Sequence, residues 1–281
     1  MYMAELHPKT TVFGNGWYTS RQKINNIPEP CWIAIDTFYA ISDHCPTIFV
    51  QVEPQIIIPS EQYIIENYHR YHTIYTFNPN VLEKCPNAKK YVFGTTWLTP
   101  PPEQVDISKK QFRISSLSGS KRIGESRGHV LRQVLYHNQH LFHDIPMTWY
   151  RSTLQIPHLT DYGNNPLLST KNELFEEFQF ALVIENSKET NYFTEKIMDC
   201  LLTKTIPLYW GCPNISEFFD TTGWMILETE SIEELQEKCR MLTSDYYHNY
   251  TDIIDKNCAK AKTYINFTDN LNNAVSIKNH L

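Results

Sequence analysis

The segment FALVIENSKETNYFTEKIMDCLLTKTIPLYWG, Phe180 to Gly211, decides how the chain is read. ALVIE is an apolar run of strand length, apolar enough to be buried on both faces. A polar loop follows and delivers Tyr192. An apolar helix then opens near Thr194, and TIPLYWG reads as the next strand. Strand, helix and strand in this order make a βαβ unit of a parallel sheet.

The rhythm extends outward. FRISSLSG reads as a strand, and Ser126 stands where it could cap a helix striped by Val130, Leu131, Val134 and Leu135. MTWYRST, GWMIL and the short helix NISEFF continue the pattern. Ser231 and Glu234 have capping-box spacing, and a long amphipathic helix is expected to finish the chain. Upstream, TIFVQVEP, HTIYTFN and KYVFGTTW read as strands. They alternate with helices over SEQYIIENYHRY, with Ser60 as cap, and PNVLEKC, opened by Pro79. Pro100, Pro101 and Pro102 form a stiff extended connector, which places a domain boundary there. The expectation is two α/β domains, 1–102 and 103–281, with a ligand cleft between them and the last helix able to pack back on the first domain.

Composition narrows the function. The 281 residues are 41% hydrophobic and 20% charged, with 25 Lys and Arg against 31 Asp and Glu, a net charge of −6. That balance argues against nucleic acid as a main partner. No run approaches the roughly 18 apolar residues of a membrane span. MYMAELHPKTTVF has neither a cationic segment nor an apolar block, so a cytoplasmic location is expected, in a bacterium or in the host cytosol for a virus-encoded chain. Seven scattered cysteines without C-x-x-C indicate neither a zinc knuckle nor a redox pair. The triplets at Asn214, Asn249 and Asn266 carry no weight without a secretory route. D-x-D and H-E-x-x-H do not occur, and Gly14-Asn15-Gly16 is too short for a dinucleotide fingerprint.

Three clusters carry chemistry. At the end of ALVIENS stand Glu185, Asn186 and Ser187, where ligands of open α/β sheets bind. A helix N-terminus near Thr194 suits a pyrophosphate, and Glu195 could accept from sugar hydroxyls. Thr194 and Glu195 equally fit the plain roles of cap and dipole partner. Lys196 opposes the dipole of a first turn and needs another reason. In SGSKRIGESRGHV, a strand ends at Ser118 and Arg127 leads a helix. Arg127 could hold phosphate bidentately with Lys121 and Arg122 assisting, and His129 could line the same place. A solvated basic turn is the other reading. Glu53 ends the strand of FVQVEPQ, where it could deprotonate a hydroxyl or merely face solvent.

FQFALVIENS…NYFTEKIMDCLLTKTIPLYWGCPNISEFF, running from Phe178 to Phe219, resembles the segment FALAFENS … DYVTEK … PVVWG-PNI-FF of family 10 glycosyltransferases, the α1,3/4-fucosyltransferases. SGSKRIGESRGHVLRQVL and QVEP resemble, more weakly, the family's arginine-led helix and the ESP of its acceptor domain. The resemblance implies a GT-B fold, two facing Rossmann-like domains, and an inverting, metal-independent transfer without a cofactor. The donor would be a nucleotide-sugar, GDP-fucose by default, and the acceptor a hydroxyl of an oligosaccharide or glycoprotein glycan. Carried over, Tyr192, Glu195 and Lys196 would contact the donor, with Asn186, Glu185, Ser118 and Lys121 beside them. Lys196 and Arg127 would neutralise the departing pyrophosphate, and Glu53 would be the base. The readings left open are a sister enzyme using a UDP-pentose such as UDP-xylose, and a binding module without catalysis. Loops that set the donor, including WYRSTLQIPHLTDYGNN, do not align.

Overall fold

The computed structural model describes residues 10–13, 25–27, 31–119, 121, 125–152 and 165–274. Gly14-Asn15-Gly16, Arg122 and most of the loop after Arg151 lie outside them. The chain divides into two compact units. One comprises 1–95, 189–192 and 263–281, and the other 96–188 and 193–262.

The first unit holds a parallel sheet of β1 (Thr10–Phe13), β2 (Cys31–Ile35), β3 (Thr47–Val50), β4 (Thr73–Thr76) and β5 (Ala88–Lys90), in that spatial order. Helices α1 (Glu61–Asn67) and α2 (Pro79–Lys84) join its later strands. Pro79 opens α2, whose cap is Asn78: its side chain accepts from the Asn80 and Val81 amides. Ser60 precedes α1 but makes no capping bond. KYVFGTTW is not a strand, since pairing stops at Lys90.

β3 ends early for a visible reason. The Asp36 carboxylate, on a residue with φ of 54°, accepts from the Val52 amide at 2.8 Å and the Glu53 amide at 3.1 Å. Those amides leave the ladder for a carboxylate, and Glu53 is held just past the strand. Burial pushes the Asp36 carboxyl up to about 7, with the Glu53 charge adding and the two amide bonds opposing.

The second unit is built on a sheet of five parallel strands among the described residues: β6 (Gln111–Ser118), β7 (Met147–Arg151), β8 (Phe178–Ile184), β9 (Ile206–Trp210) and β10 (Met225–Ile226). Their order is β10-β9-β8-β6-β7. All seven residues of β8 are buried, as an unbroken apolar run in a covered parallel sheet requires. Helix α3 (Arg127–His137) follows β6 and α4 (Glu195–Leu202) follows β8. The helix expected after Ser231 is α5 (Ile232–Arg240), and the expected long closing helix is instead α6 (Ser244–Asn249), α7 (Thr251–Lys262) and α8 (Phe267–Asn272). Ser231 caps α5, but Glu234 accepts from the Glu228 and Thr229 amides rather than closing a reciprocal box. α8 returns to the first unit, where Leu271 joins the core with Ile33, Val50 and Tyr91. The connector is tied to the second unit: Thr96 Oγ1 and the Trp97 amide donate to Asp199 of α4, and the Thr99 amide to Asn172. The contact division accordingly falls at Thr95, ahead of the proline run.

Lys110, at the start of β6, is buried and donates to the carbonyls of Phe175 (2.7 Å) and Phe178 (2.9 Å) and to Thr205 Oγ1 (2.9 Å). It fastens β6 to the chain entering β8 and β9. Lys110→Met leaves these acceptors short of a donor, and we expect a loss of about 1–3 kcal/mol in urea unfolding. Asp36 gives a pH signature. Its proton stays on the folded chain up to about 7 but leaves the unfolded chain near 3.8, so its contribution to stability falls as pH rises between those values. Asp199 has the same sign and range. Asp36→Asn keeps an acceptor and suits the left-handed backbone. It should therefore reduce the decline across that window, measured as unfolding free energy against pH.

Candidate functional site

From β6 the chain winds through α3 to β7 on one side, and from β8 through α4 to β9 on the other. The carboxyl ends of β6 and β8 therefore border a topological switch point, the crevice where open α/β sheets take ligands. Both helices begin at that edge.

The start of α3 is locked to the end of β8. The Ser126 hydroxyl does not cap α3 but donates to the Asn186 carbonyl at 2.8 Å, and the Gly128 amide donates to the same oxygen at 3.2 Å. Arg132 donates from Nη1 to the Ile184 carbonyl at 2.5 Å and from Nη2 to Asn186 Oδ1 at 3.0 Å. A Cβ on Gly128 would lie 1.7 Å from the Glu185 carbonyl oxygen, so only glycine permits this approach. Ser118, buried at the end of β6, donates to the Arg132 carbonyl at 2.9 Å.

At α4, Thr194 caps the helix by accepting from the Lys196 amide. The buried Glu185 carboxylate accepts from the Thr194 amide at 2.9 Å and its hydroxyl at 2.7 Å. An internal carboxylate thus occupies the anion position of this helix N-terminus. Lys196 Nζ lies 3.0 Å from Thr194 Oγ1, 3.3 Å from Glu195 Oε1 and 3.5 Å from Glu185 Oε2. Burial pushes the Glu185 carboxyl up, against the pull of Lys196, and Glu195 adds to the rise. Burial opposes ionisation of Glu195 too, but Lys196, Lys171 and bonds from Thr194 and Lys196 outweigh it and hold that carboxyl below the usual range. One ammonium balances two carboxylates, with Glu195 the more firmly ionised.

Arg127 is largely exposed, its Nε 2.7 Å from Glu230 Oε1. An exposed pair of this kind is worth little, so its guanidinium is readily exchanged to another anion. Lys121 is exposed after β6. Asn186 Oδ1, expected beside the donor, accepts from Arg132. Tyr192 falls in the first unit, buried against Phe77 with ring centroids 5.1 Å apart. Asn191 just before it takes φ of 62° and donates to the Phe77 carbonyl. Glu53, half-buried, also belongs to the first unit. Arg132, Gly128 and Lys171 escaped the sequence reading. The signal for Gly128 was a helix-breaking residue inside the first turn of a helix, but Arg132 and Lys171 have only spatial partners. Among the described residues, no three His, Cys, Asp or Glu side chains converge as a metal-holding set. None of their helices is long and apolar enough to cross a membrane.

Residues 146–272 match the family model described as glycosyltransferase family 10 (fucosyltransferase), C-terminal part. The α-(1,3)-fucosyltransferase FucT of Helicobacter pylori is 29% identical over 91 residues, which are 32% of this chain and 19% of that protein. A fucosyltransferase-like protein of Arabidopsis thaliana is 30% identical over 77 residues, 27% of this chain and 15% of that one. The matches thus span less than a fifth of either relative. A crystal structure of an α1,3-fucosyltransferase with GDP is similar at a TM-score of 0.51 and 16% identity, covering 91% of this chain and 83% of that one. TarM is similar at a TM-score of 0.55 and 14% identity, covering 86% and 54%. At such identities these structures speak to fold alone. The chain has the α/β GT-B fold, and its residues 146–272 match the model of the C-terminal part of family 10 glycosyltransferases, the fucosyltransferase family.

Proposed function

We propose that the protein moves a sugar from a nucleotide-sugar to a hydroxyl of a glycan, with inversion at the anomeric carbon and without a metal or other cofactor. The supporting observation is the convergence of α3 and α4 on the β6–β8 switch point, with Arg127 opening α3, Lys196 in the first turn of α4 and Lys121 after β6. A nucleoside diphosphate leaves with growing negative charge. Cations fixed in a site poor in water stabilise that charge where a metal otherwise would. The bond from the anomeric carbon to the diphosphate breaks, and its electron pair goes to the leaving group. The acceptor oxygen forms the new bond from the opposite side and gives its proton to a base. Glu53 is the proposed base, since Asp36 fixes its backbone at a strand end. Lys196 and Arg127 take the diphosphate, exchanging their present carboxylate partners for phosphate. Glu195 remains ionised where positive charge develops on the sugar, and Glu185 supports Thr194 and Lys196 from beneath. GDP-fucose is the donor that the family favours, with a UDP-pentose such as UDP-xylose the second reading. A module that only binds donor would not transfer to any acceptor.

A ligand that binds only the folded chain raises its melting point by mass action. Among GDP, UDP, GDP-fucose and UDP-xylose, one nucleotide and its sugar should raise the midpoint. Lys196→Ala should remove most of that rise, measured against its own ligand-free midpoint. No rise with any of the four contradicts the donor site. Glu53→Gln should keep the nucleotide-induced rise and lose transfer by roughly 100-fold or more, the scale of a lost general base. Retained turnover would place the base elsewhere.

A further inference from the structure

His129 is the third residue of α3 and lies at the switch-point edge, directly after the glycine that rests on the Glu185 carbonyl. It is only 6% exposed. Its Nδ1 is buried and has no hydrogen-bond partner among the described residues. A buried ring nitrogen left unpaired is costly, and a native chain that keeps one has a use for it. The neighbourhood shows the use. Arg132 on the same helix, Lys196 from α4 and Lys121 after β6 all bear on the imidazole. Glu185, the nearby carboxylate ending β8, is turned to Thr194 and Lys196, and Glu195 to Lys196. Among the described residues the imidazole therefore has cations around it and no carboxylate partner. Burial, and after it those three cations, push it down to about 4, so it is neutral in the ligand-free chain. A diphosphate brings the missing acceptor, and its negative charge offsets the three cations.

We propose that His129 contacts the diphosphate of the donor, and that its imidazole takes a proton from solvent as the diphosphate enters, so that Nδ1–H donates to a phosphate oxygen. This rests on the donor-site reading above and adds a residue and a proton to it. No electrons move: one proton passes from water to the ring on binding and returns on product release. Product release is then favoured by higher pH, because deprotonation withdraws a charged hydrogen bond from the leaving diphosphate.

The test is calorimetry of GDP and UDP binding near pH 6 in two buffers of different ionisation enthalpy, with wild type and His129→Gln. The difference between the two proteins removes the titration of the terminal phosphate itself. Proton uptake per nucleotide should be greater in wild type than in His129→Gln by roughly half a proton or more, and wild type should bind roughly tenfold tighter, a gap that narrows as pH rises. Imidazole chemical shifts of His129 in the wild type give the same answer without a substitution, and should move from neutral to imidazolium on nucleotide addition. Nucleotide binding with a ring that stays neutral, or with equal proton uptake and affinity in His129→Gln, overturns this inference and leaves the donor site standing. A wild-type chain that binds neither nucleotide overturns both.

Discussion

The site depends on the contact between the first turn of α3 and the end of β8. Three donors, the Ser126 hydroxyl, the Gly128 amide and the Arg132 guanidinium, fall on the backbone from Ile184 to Asn186. Gly128 makes the approach sterically possible. Ile184 is the last residue of β8 and Asn186 lies just past it, so the clamp supplies donors to carbonyls at the strand end and sets geometry together. Through it the amino end of α3, with Arg127 and His129, takes a fixed position beside the strand that leads into α4.

A second consequence concerns charge. The amino end of α4, the expected pyrophosphate seat, already holds the Glu185 carboxylate. The place left for a ligand anion is the α3 side of the crevice, where Arg127 has a weak exposed partner and the imidazole of His129 has none among the described residues. Lys196 lies between these halves, shared among Glu185, Glu195 and Thr194. A partly exposed ammonium held by a buried carboxylate pair is well placed to turn toward a stronger anion. Glu185 can then keep a proton more easily than Glu195, since burial already favours its neutral form.

Much of this was legible in the sequence. The apolar run at β8, the helix after Thr194 and the strand at Ile206–Trp210 follow from periodicity and length, because a doubly covered parallel strand admits little else. The family resemblance, resting on the same stretch, agrees with the match over 146–272. Tyr192 is grouped with Glu195 and Lys196 by the family resemblance, and in the first unit it packs on Phe77. The chain passes between units at Phe193, a change of partner that no local pattern marks. Arg132 and Gly128 act through carbonyls more than fifty residues away in sequence, which spacing cannot reveal. The early end of β3 likewise needed Asp36, whose left-handed backbone and reach to the Val52 and Glu53 amides are tertiary facts.

The central claim is that a nucleoside diphosphate sits at the β6–β8 switch point on the α3 side. Amide hydrogen exchange of the chain with and without saturating GDP or UDP tests it most directly. The account predicts protection gathered in residues 125–132 and at 118–121, with a smaller effect over 185–196. Protection confined to other segments, with these unchanged while nucleotide is bound, would contradict it.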